Sequence, residues 1–341
     1  MQAAVFRVDV RKLVVETVPD PTPEAGQVVV RVHRCGICGS DVHMAEGHGA
    51  SFADGAIPGH EVSGEVVAIG KGVTRVAIGD PVAVLPFLSC GHCDSCRSGD
   101  PAGCGAALMF GSPKQGGGYA DYLLTNEIWC VKLPASLSFE DGALVEPLAV
   151  SLRSIRASGL KMGDKVLVMG AGAIGLAATY WARLGGAGKI AVSATSTRRQ
   201  NMAMAMNADS FLIPEEGRAL AEQAAAALGG APDIVVECAG VPGSLDAAVS
   251  AVKRQGTIMA PGFCWTPDKF TGMAAMVKEA TIRYTHIYDR REFEIATEVM
   301  DAGHVEPRAM ITDVVSLEQA PASFQELRGP NNQGKVMIRP A

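Results

Sequence analysis

The sequence is short of positive charge. Lys and Arg number 30 against 36 Asp and Glu, a formal net charge of −6, and charged residues make up only 19% of the chain. No basic cluster stands out that could neutralise a row of phosphates, which argues against a nucleic-acid partner. Long apolar runs are also missing. No stretch of about 18 apolar residues occurs, so no transmembrane helix and no membrane partner are expected. The start, Met1 to Val10, lacks the basic start, long apolar stretch and cleavage site of a signal peptide and reads instead as a strand. A cytoplasmic protein with reduced thiols is expected, and in that setting clustered cysteines bind metal more often than they form disulfides.

What the chain has is length, apolar content and cysteine. Its 341 residues exceed the usual single-core limit of about 250–300 residues, so two domains are expected. A hydrophobic content of 48% fits a folded chain. Four of the nine cysteines, Cys90, Cys93, Cys96 and Cys104, fall within fifteen residues. Thiolates this close can converge on one tetrahedral ion, and a closed four-thiolate set leaves no open position, which is the mark of structural zinc. The glycines, proline, serine and aspartate between Cys96 and Cys104 make that segment a loop. The alternative is four free thiols in a flexible loop.

The remainder divides by pattern. Residues 1 to about 147 are short strands punctuated by Gly and Pro, among them Val28–Val32 and Glu61–Ala68, the signature of a barrel-like β module with long loops. From Leu144 helical stretches alternate with short apolar strands at Lys165–Met169, Lys189–Val192, Asp233–Glu237 and Gly256–Met259, which means βαβ units and a parallel sheet. Beyond residue 288, Arg291–Ala302 reads as a helix and Lys335–Ile338 as a closing strand. No internal repeat appears.

The strand at Lys165–Met169 runs directly into Gly170-Ala171-Gly172-Ala173-Ile174-Gly175, and a helix opens behind it. In that context GxGxxG is a dinucleotide-binding turn. Gly170 allows the tight turn, Gly172 lets backbone approach a pyrophosphate, and Gly175 permits close packing of helix on strand. The next strand end is informative by omission. An NAD site puts Asp or Glu there for the ribose 2′-hydroxyl. This chain has Ser193-Ala194-Thr195-Ser196-Thr197-Arg198-Arg199 and no carboxylate. Hydroxyls and two arginines suit a 2′-phosphate, so NADP(H) is expected in preference to NAD(H). The plainer alternative makes Arg198 and Arg199 solvated residues of the next helix.

Upstream, Cys35-Gly36-Ile37-Cys38-Gly39-Ser40-Asp41-Val42-His43 is followed by Pro58-Gly59-His60-Glu61. Catalytic zinc wants three protein ligands and one open position. Cys38, His60 and a carboxylate from Glu61 or Glu146 would provide them.

These motifs, in this order, resemble the zinc-containing medium-chain dehydrogenases and reductases, the alcohol and polyol dehydrogenases, over essentially the full chain. Glu-Pro-Leu-Ala at Glu146–Ala149 is similar to the sorbitol and threonine dehydrogenase branch. The resemblance implies an α/β protein: a GroES-like β-barrel catalytic domain, here residues 1–147 and 288–341, with a Rossmann doubly wound parallel sheet, residues 148–287, inserted. It implies two zinc ions per subunit and a homotetramer or homodimer. It also implies that Cys38, His60 and Glu61 or Glu146 hold the catalytic zinc. The absence of a cysteine near Glu146 makes a second catalytic thiolate unexpected. Ser40 resembles the family's proton-relay hydroxyl and His43 the outer end of that relay; as plain alternatives, Ser40 caps a turn and Asp41 forms a local Asx turn.

Zinc would lower the pKa of an alcohol, whose proton leaves through Ser40, the cofactor ribose and His43 while hydride passes to the nicotinamide. Cys238-Ala239-Gly240 and Ala260-Pro261-Gly262 follow later strands of the parallel sheet and are expected to line the two halves of the cofactor. Lys335 resembles a basic residue that approaches the cofactor, with a plain surface lysine as the alternative. Met44, His48, Phe52 and Phe110 lie in segments that form the pocket in relatives, although Met and Phe are more often core. The glycines of Gln115–Tyr122 read as backbone geometry, and Cys35, Cys130, Cys238 and Cys264 as small apolar residues. The substrate is a small alcohol or ketone, and the polyol branch suggests a secondary alcohol or vicinal diol. Two rival readings are a zinc-free quinone or enal reductase and a non-catalytic dinucleotide sensor. The reductase would lack both zinc motifs, and both are intact; the sensor would have lost Cys38 or His60, and neither is lost.

Overall fold

Val28–Val32 lies within a ten-residue strand, Gln27–Gly36, that forms the spine of the first unit. Its β-branched residues suit a strand buried on both faces, and Val28, Val30 and Val32 are fully buried. In this computed structural model residues 1–47, 51–100, 103–112, 114–215 and 219–340 are described. They divide into two units, Met1–Glu146 with Tyr288–Ala341, and Pro147–Ile287.

In the first unit, Gln27–Gly36 pairs antiparallel with Glu61–Ile69 and with Tyr122–Asn126. Pro81–Val84 and Cys130–Lys132 extend the sheet on one side. On the other, the last strand of the chain, Lys335–Arg339, pairs antiparallel with the end of Gln27–Gly36 and parallel with Ile311–Ser316. Strands from the first half of the chain and its last two strands therefore build one sheet. Phe6, Phe52, Phe110, Tyr119 and Phe324 fill the core around it, each large side chain contributing about 2–3 kcal/mol by leaving water.

The second unit is a six-stranded parallel sheet. Its spatial order is Ser210–Leu212, Lys189–Ser193, Lys165–Met169, Ile234–Glu237, Thr257–Ala260, Thr281–Tyr284. The first strand in sequence, Lys165–Met169, lies in the middle, and its neighbours lead outward in opposite directions. Ligands bind at such a switch point, outside the carboxyl ends of the strands.

Three local readings change. The helix expected from Leu144 begins earlier, at Phe139, and runs to Ser158 with Pro147 inside it. The initial strand is shorter, Gln2–Arg7. The loop closing at Cys104 opens with one helical turn, Asp94–Ser98. Asp94 favours that turn from its first position, and Gly99, at φ +79°, ends it. Among the described residues no helix is long and apolar enough to cross a membrane.

Candidate metal centres and dinucleotide site

The strand Gln27–Gly36 ends where the helix Gly39–Glu46 begins, and Cys38 sits at that junction as the N-cap. The turn is closed by Asp41, whose Oδ2 accepts the Cys38 N–H at 3.3 Å. His60 and Glu61 come from the start of the neighbouring strand, which register places beside Gly36. Ligand atoms of Cys38, His60 and Glu61 all lie within 4.8 Å of one another.

This donor set fits a divalent ion. Glu61 is 1% exposed, and its Oε2 is buried with no hydrogen-bond partner. A carboxylate oxygen left so in a protein interior costs several kcal/mol unless a cation meets it. Gly36 makes room for that oxygen: a Cβ there would fall 1.9 Å from Glu61 Oε2.

Asp41 does more than close a turn. It is buried, its Oδ1 lies 3.4 Å from His60 Nδ1, and its Oδ2 accepts the Tyr119 hydroxyl at 2.7 Å. This engages Nδ1 and leaves Nε2 for a metal. Burial alone would raise the Asp41 carboxyl, but His60, Tyr119 and the Cys38 N–H outweigh it and hold the group below its usual range. Burial likewise opposes a charged His60, yet Asp41 and Cys38 push its pKa well above 6.5.

Of the two carboxylates considered from the sequence, Glu61 joins Cys38 and His60. Glu146 instead accepts the Tyr288 hydroxyl at 2.7 Å. Burial, reinforced by Glu61, pushes Glu146 up to about 7. Ser40 lies in the first turn and His43, three residues on, in the last turn of the helix Gly39–Glu46, and His43 is exposed. Lys335 is not a surface lysine. It is 2% exposed, and its Nζ donates to Glu61 Oε1 at 2.6 Å and to the Ile37 carbonyl at 3.2 Å. Burial would lower Lys335, but Glu61, Cys38 and Glu146 reverse that and raise it.

The second cluster is Cys90, Cys93, Cys96 and Cys104. Cys90 and Cys96 sulfurs are 3.8 Å apart, Cys93 and Cys96 3.5 Å, Cys104 and Cys90 3.7 Å. Four sulfurs about 2.3 Å from one centre form a tetrahedron with edges of about 3.8 Å, so the spacing is that of a zinc tetrathiolate. The N–H groups of His92 and Cys93 push the Cys90 thiol down to about 6, whereas burial pushes Cys96 up to about 12. Ser89 Oγ lies 3.3 Å from Cys96 Sγ and accepts the indole N–H of the fully buried Trp129 at 2.8 Å. All nine cysteines are free thiols.

In the second unit Gly170 adopts φ +99°, and Gly172 caps the helix Ala173–Leu184. A Cβ on Gly172 would meet nothing within 4 Å, whereas one on Gly175 would fall 1.9 Å from the Gly170 carbonyl. Open space at Gly172 and free N–H groups behind it, including that of Ile174, fit a pyrophosphate. Ser193 is buried at the end of Lys189–Ser193, with Ala194 half-buried and Thr195 exposed. Arg198 and Arg199 follow in one tight turn. Burial and the adjacent Arg198 lower Arg199.

Cys238 continues the strand Ile234–Glu237, and Glu237 Oε1 accepts the N–H groups of Ala239 and Gly240 at 2.8 and 3.0 Å. A Cβ on Gly262 would meet Gly240 N at 2.9 Å, so that turn packs on the one beside Pro261. Phe52 and Phe110 are buried in the barrel core, and Met44, partly buried, packs against it. His48 lies outside the described residues. Cys35 and Cys130 are buried apolar residues as expected, but Cys238 and Cys264 are only partly covered. Asp41, Tyr119, Tyr288 and the Lys335–Glu61 pair were not singled out for these roles in the sequence; their signals are single residues whose partners lie 19 to 274 positions away.

Residues 24–135 match the alcohol dehydrogenase GroES-like domain, and residues 173–302 the zinc-binding dehydrogenase domain. The chain is similar to an L-arabinitol 4-dehydrogenase of Aspergillus oryzae, 34% identical over 330 residues (92% of this chain, 86% of that one). It is also similar to a D-xylulose reductase A of Aspergillus niger, 31% identical over 319 residues (90% and 89%). Among solved structures it resembles a 2R,3R-butanediol dehydrogenase of Bacillus subtilis, with TM-score 0.89 and 30% identity over 100% of this chain and 99% of the other. A zinc-binding dehydrogenase fold from Sinorhizobium meliloti, solved bound to NADP, gives TM-score 0.89 and 28% identity over 100% of both chains. With both domain models matched in order and these identities sustained along the chain, the protein belongs to the zinc-containing medium-chain dehydrogenase/reductase family, oxidoreductases that act on CH–OH donors with a nicotinamide cofactor.

Proposed function

We propose that this enzyme oxidises a secondary hydroxyl of a polyol or vicinal diol, and reduces the matching ketone, using NADP(H) in preference to NAD(H) and two zinc ions per subunit. The observation that carries the reading is the buried, unpartnered Oε2 of Glu61 beside Cys38 and His60. When bound there, zinc supplies Lewis-acid polarisation of a carbinol or carbonyl oxygen. The chain's own residues do the rest. Asp41, itself held by Tyr119, fixes the ring of His60. Ser40 takes the hydroxyl proton and His43 passes it to water, which suits its exposure. Glu146, pushed up to about 7, is poised to hold or release a proton close to neutral pH. Gly170, Gly172 and the N–H groups that open Ala173–Leu184 bind the pyrophosphate, and Cys238–Gly240 with Pro261–Gly262 line the cofactor.

The substrate class rests on the names of the relatives, whose alcohols are polyols or a diol. NADP(H) rests on Arg198, Arg199 and the missing carboxylate after Ser193, and favours carbonyl reduction in the cell. The four reduced thiols of the zinc loop support a cytoplasmic setting. A homodimer or homotetramer is supported by the outermost strand of the parallel sheet, Thr281–Tyr284. Tyr284 is 68% exposed there, and Met273, Met276 and Val277 of the helix before it are exposed too.

A panel of polyols, diols, primary alcohols and their carbonyl forms, followed by nicotinamide absorbance with each cofactor, tests the reading. Turnover confined to primary alcohols would reject the substrate class. A clear preference for NAD(H) would reject the cofactor. Metal analysis should find about two zinc ions per chain, and light scattering should find a mass above that of one chain.

A further inference from the structure

The metal site contains one charged group that the reaction does not use. Lys335 is almost fully buried, and its ammonium group engages Glu61 Oε1 at 2.6 Å while Oε2 of the same carboxylate stays unpartnered next to Cys38 and His60. Its second contact, to the Ile37 carbonyl at 3.2 Å, is one residue from Cys38. The closing strand fixes this arrangement: Met337 lies opposite Gly36, Ile338 opposite Cys35, and Ile37 N donates to the Val336 carbonyl at 2.9 Å. Gly36 leaves the space in which Oε2 sits.

We infer that Lys335 is a positioning residue for the metal site: it holds one oxygen of Glu61, so the carboxylate presents only Oε2 to the ion and a coordination position stays open for substrate. This rests on the zinc assignment at Cys38, His60 and Glu61. A carboxylate can ligate through one oxygen or both, and catalytic zinc needs an open position. With Lys335 in place, Oε1 already has a cationic donor. Without it, Oε1 becomes a buried anionic oxygen with no donor, and the nearest cation is the metal, so both oxygens turn to the ion and close the open position. Second-sphere partners of this kind typically change metal affinity or activity by about 10–100-fold.

Cadmium NMR of the full-length protein, with cadmium exchanged into both metal sites, gives each site its own resonance. The tetrathiolate resonance reports that the first unit is folded, and added imidazole probes the open position of the other site. In Lys335→Met the mixed-ligand resonance is expected upfield of wild type, from the added oxygen donor, and imidazole to bind at least about tenfold more weakly. Lys335→Arg keeps the buried charge, and its planar fork can engage both oxygens of Glu61. Its resonance is expected downfield, as Glu61 leaves the metal, so a failure of the Met variant to fold still leaves a reading of opposite sign. If wild type takes up cadmium at both sites and neither folded variant moves the mixed-ligand resonance, this inference fails alone. If wild type takes up cadmium only at the four cysteines, the zinc reading fails and this inference with it.

Discussion

Tyr288 donates its hydroxyl hydrogen to Glu146 Oε1 at 2.7 Å, joining the first residue after the dinucleotide-binding unit to the helix Phe139–Ser158. That bond favours the carboxylate, yet burial wins and Glu146 is pushed up to about 7 from an ordinary 4.5. The folded protein thus keeps a proton that the unfolded chain loses, and stability falls as pH rises from about 4.5 to about 7. The full loss above that window is about 3 kcal/mol. Glu146→Gln, neutral at every pH, should therefore gain about 2–3 kcal/mol over wild type near pH 8 and nothing near pH 4. Urea titrations of metal-depleted protein at both pH values measure this; a gain that does not change with pH would show that Glu146 titrates in the folded protein as it does in the unfolded chain.

Asp41 is expected to act through His60. Asp41→Asn keeps the shape of the side chain but removes the anion that faces His60 Nδ1 and accepts from Tyr119. Zinc affinity at the Cys38–His60–Glu61 site should fall about 10–100-fold, measured by competition with a chromophoric chelator. The four-cysteine site, which Asp41 does not touch, should hold its zinc as before. Equal loss from both sites would mean that Asp41 supports the fold of the unit and not the ring of His60.

Much of this was legible in the sequence, for physical reasons that differ by residue. The strand Lys165–Met169 and the glycine turn behind it are local features: apolar run, turn and helix lie within twenty residues, and Gly175 packs against the carbonyl of Gly170 in the same turn. The tetrathiolate is local too. What was not legible is long-range. Lys335 meets Glu61 across 274 positions only because the last strand returns to pair with the end of Gln27–Gly36. Tyr119 reaches Asp41 across 78, from a segment whose glycines alone drew notice. The pattern change read at Leu144 falls inside the helix Phe139–Ser158, which carries Pro147 in its interior where a proline ordinarily marks an end. Phe52 and Phe110 look like pocket residues by position and are core by packing.

The cysteine loop should behave as a staple. Its sulfurs sit at tetrahedral spacing, and the carbonyl of Gly99 inside it accepts the Arg290 N–H at 2.9 Å, tying the loop to the start of the helix Arg290–Asp301. Cys93→Ser should lose one of two zincs and destabilise the first unit by about 4 kcal/mol or more, the range for loss of a structural metal. Trp129 offers a direct readout, since Ser89 links its indole N–H to Cys96. Its emission should shift to longer wavelength in the variant and in chelator-treated wild type alike. Loss of zinc with emission and thermal midpoint unchanged would show that the loop folds without its ion.

The two arginines after Ser193 carry the cofactor prediction. Each charge-assisted bond to a phosphate contributes about 1.5–3 kcal/mol. Arg199 is partly buried next to Arg198, and both burial and that neighbour disfavour its charge until an anion arrives. Arg198→Ala and Arg199→Ala should each raise the KM for NADP(H) by about 10–100-fold and leave the KM for NAD(H) within about twofold, with kcat little changed. The double variant should prefer NAD(H), because the hydroxyls of Ser193 and Thr195 remain to face a ribose. Parallel loss of both cofactors would place the arginines in the framework of the turn, and the preference would then have to come from elsewhere in the second unit.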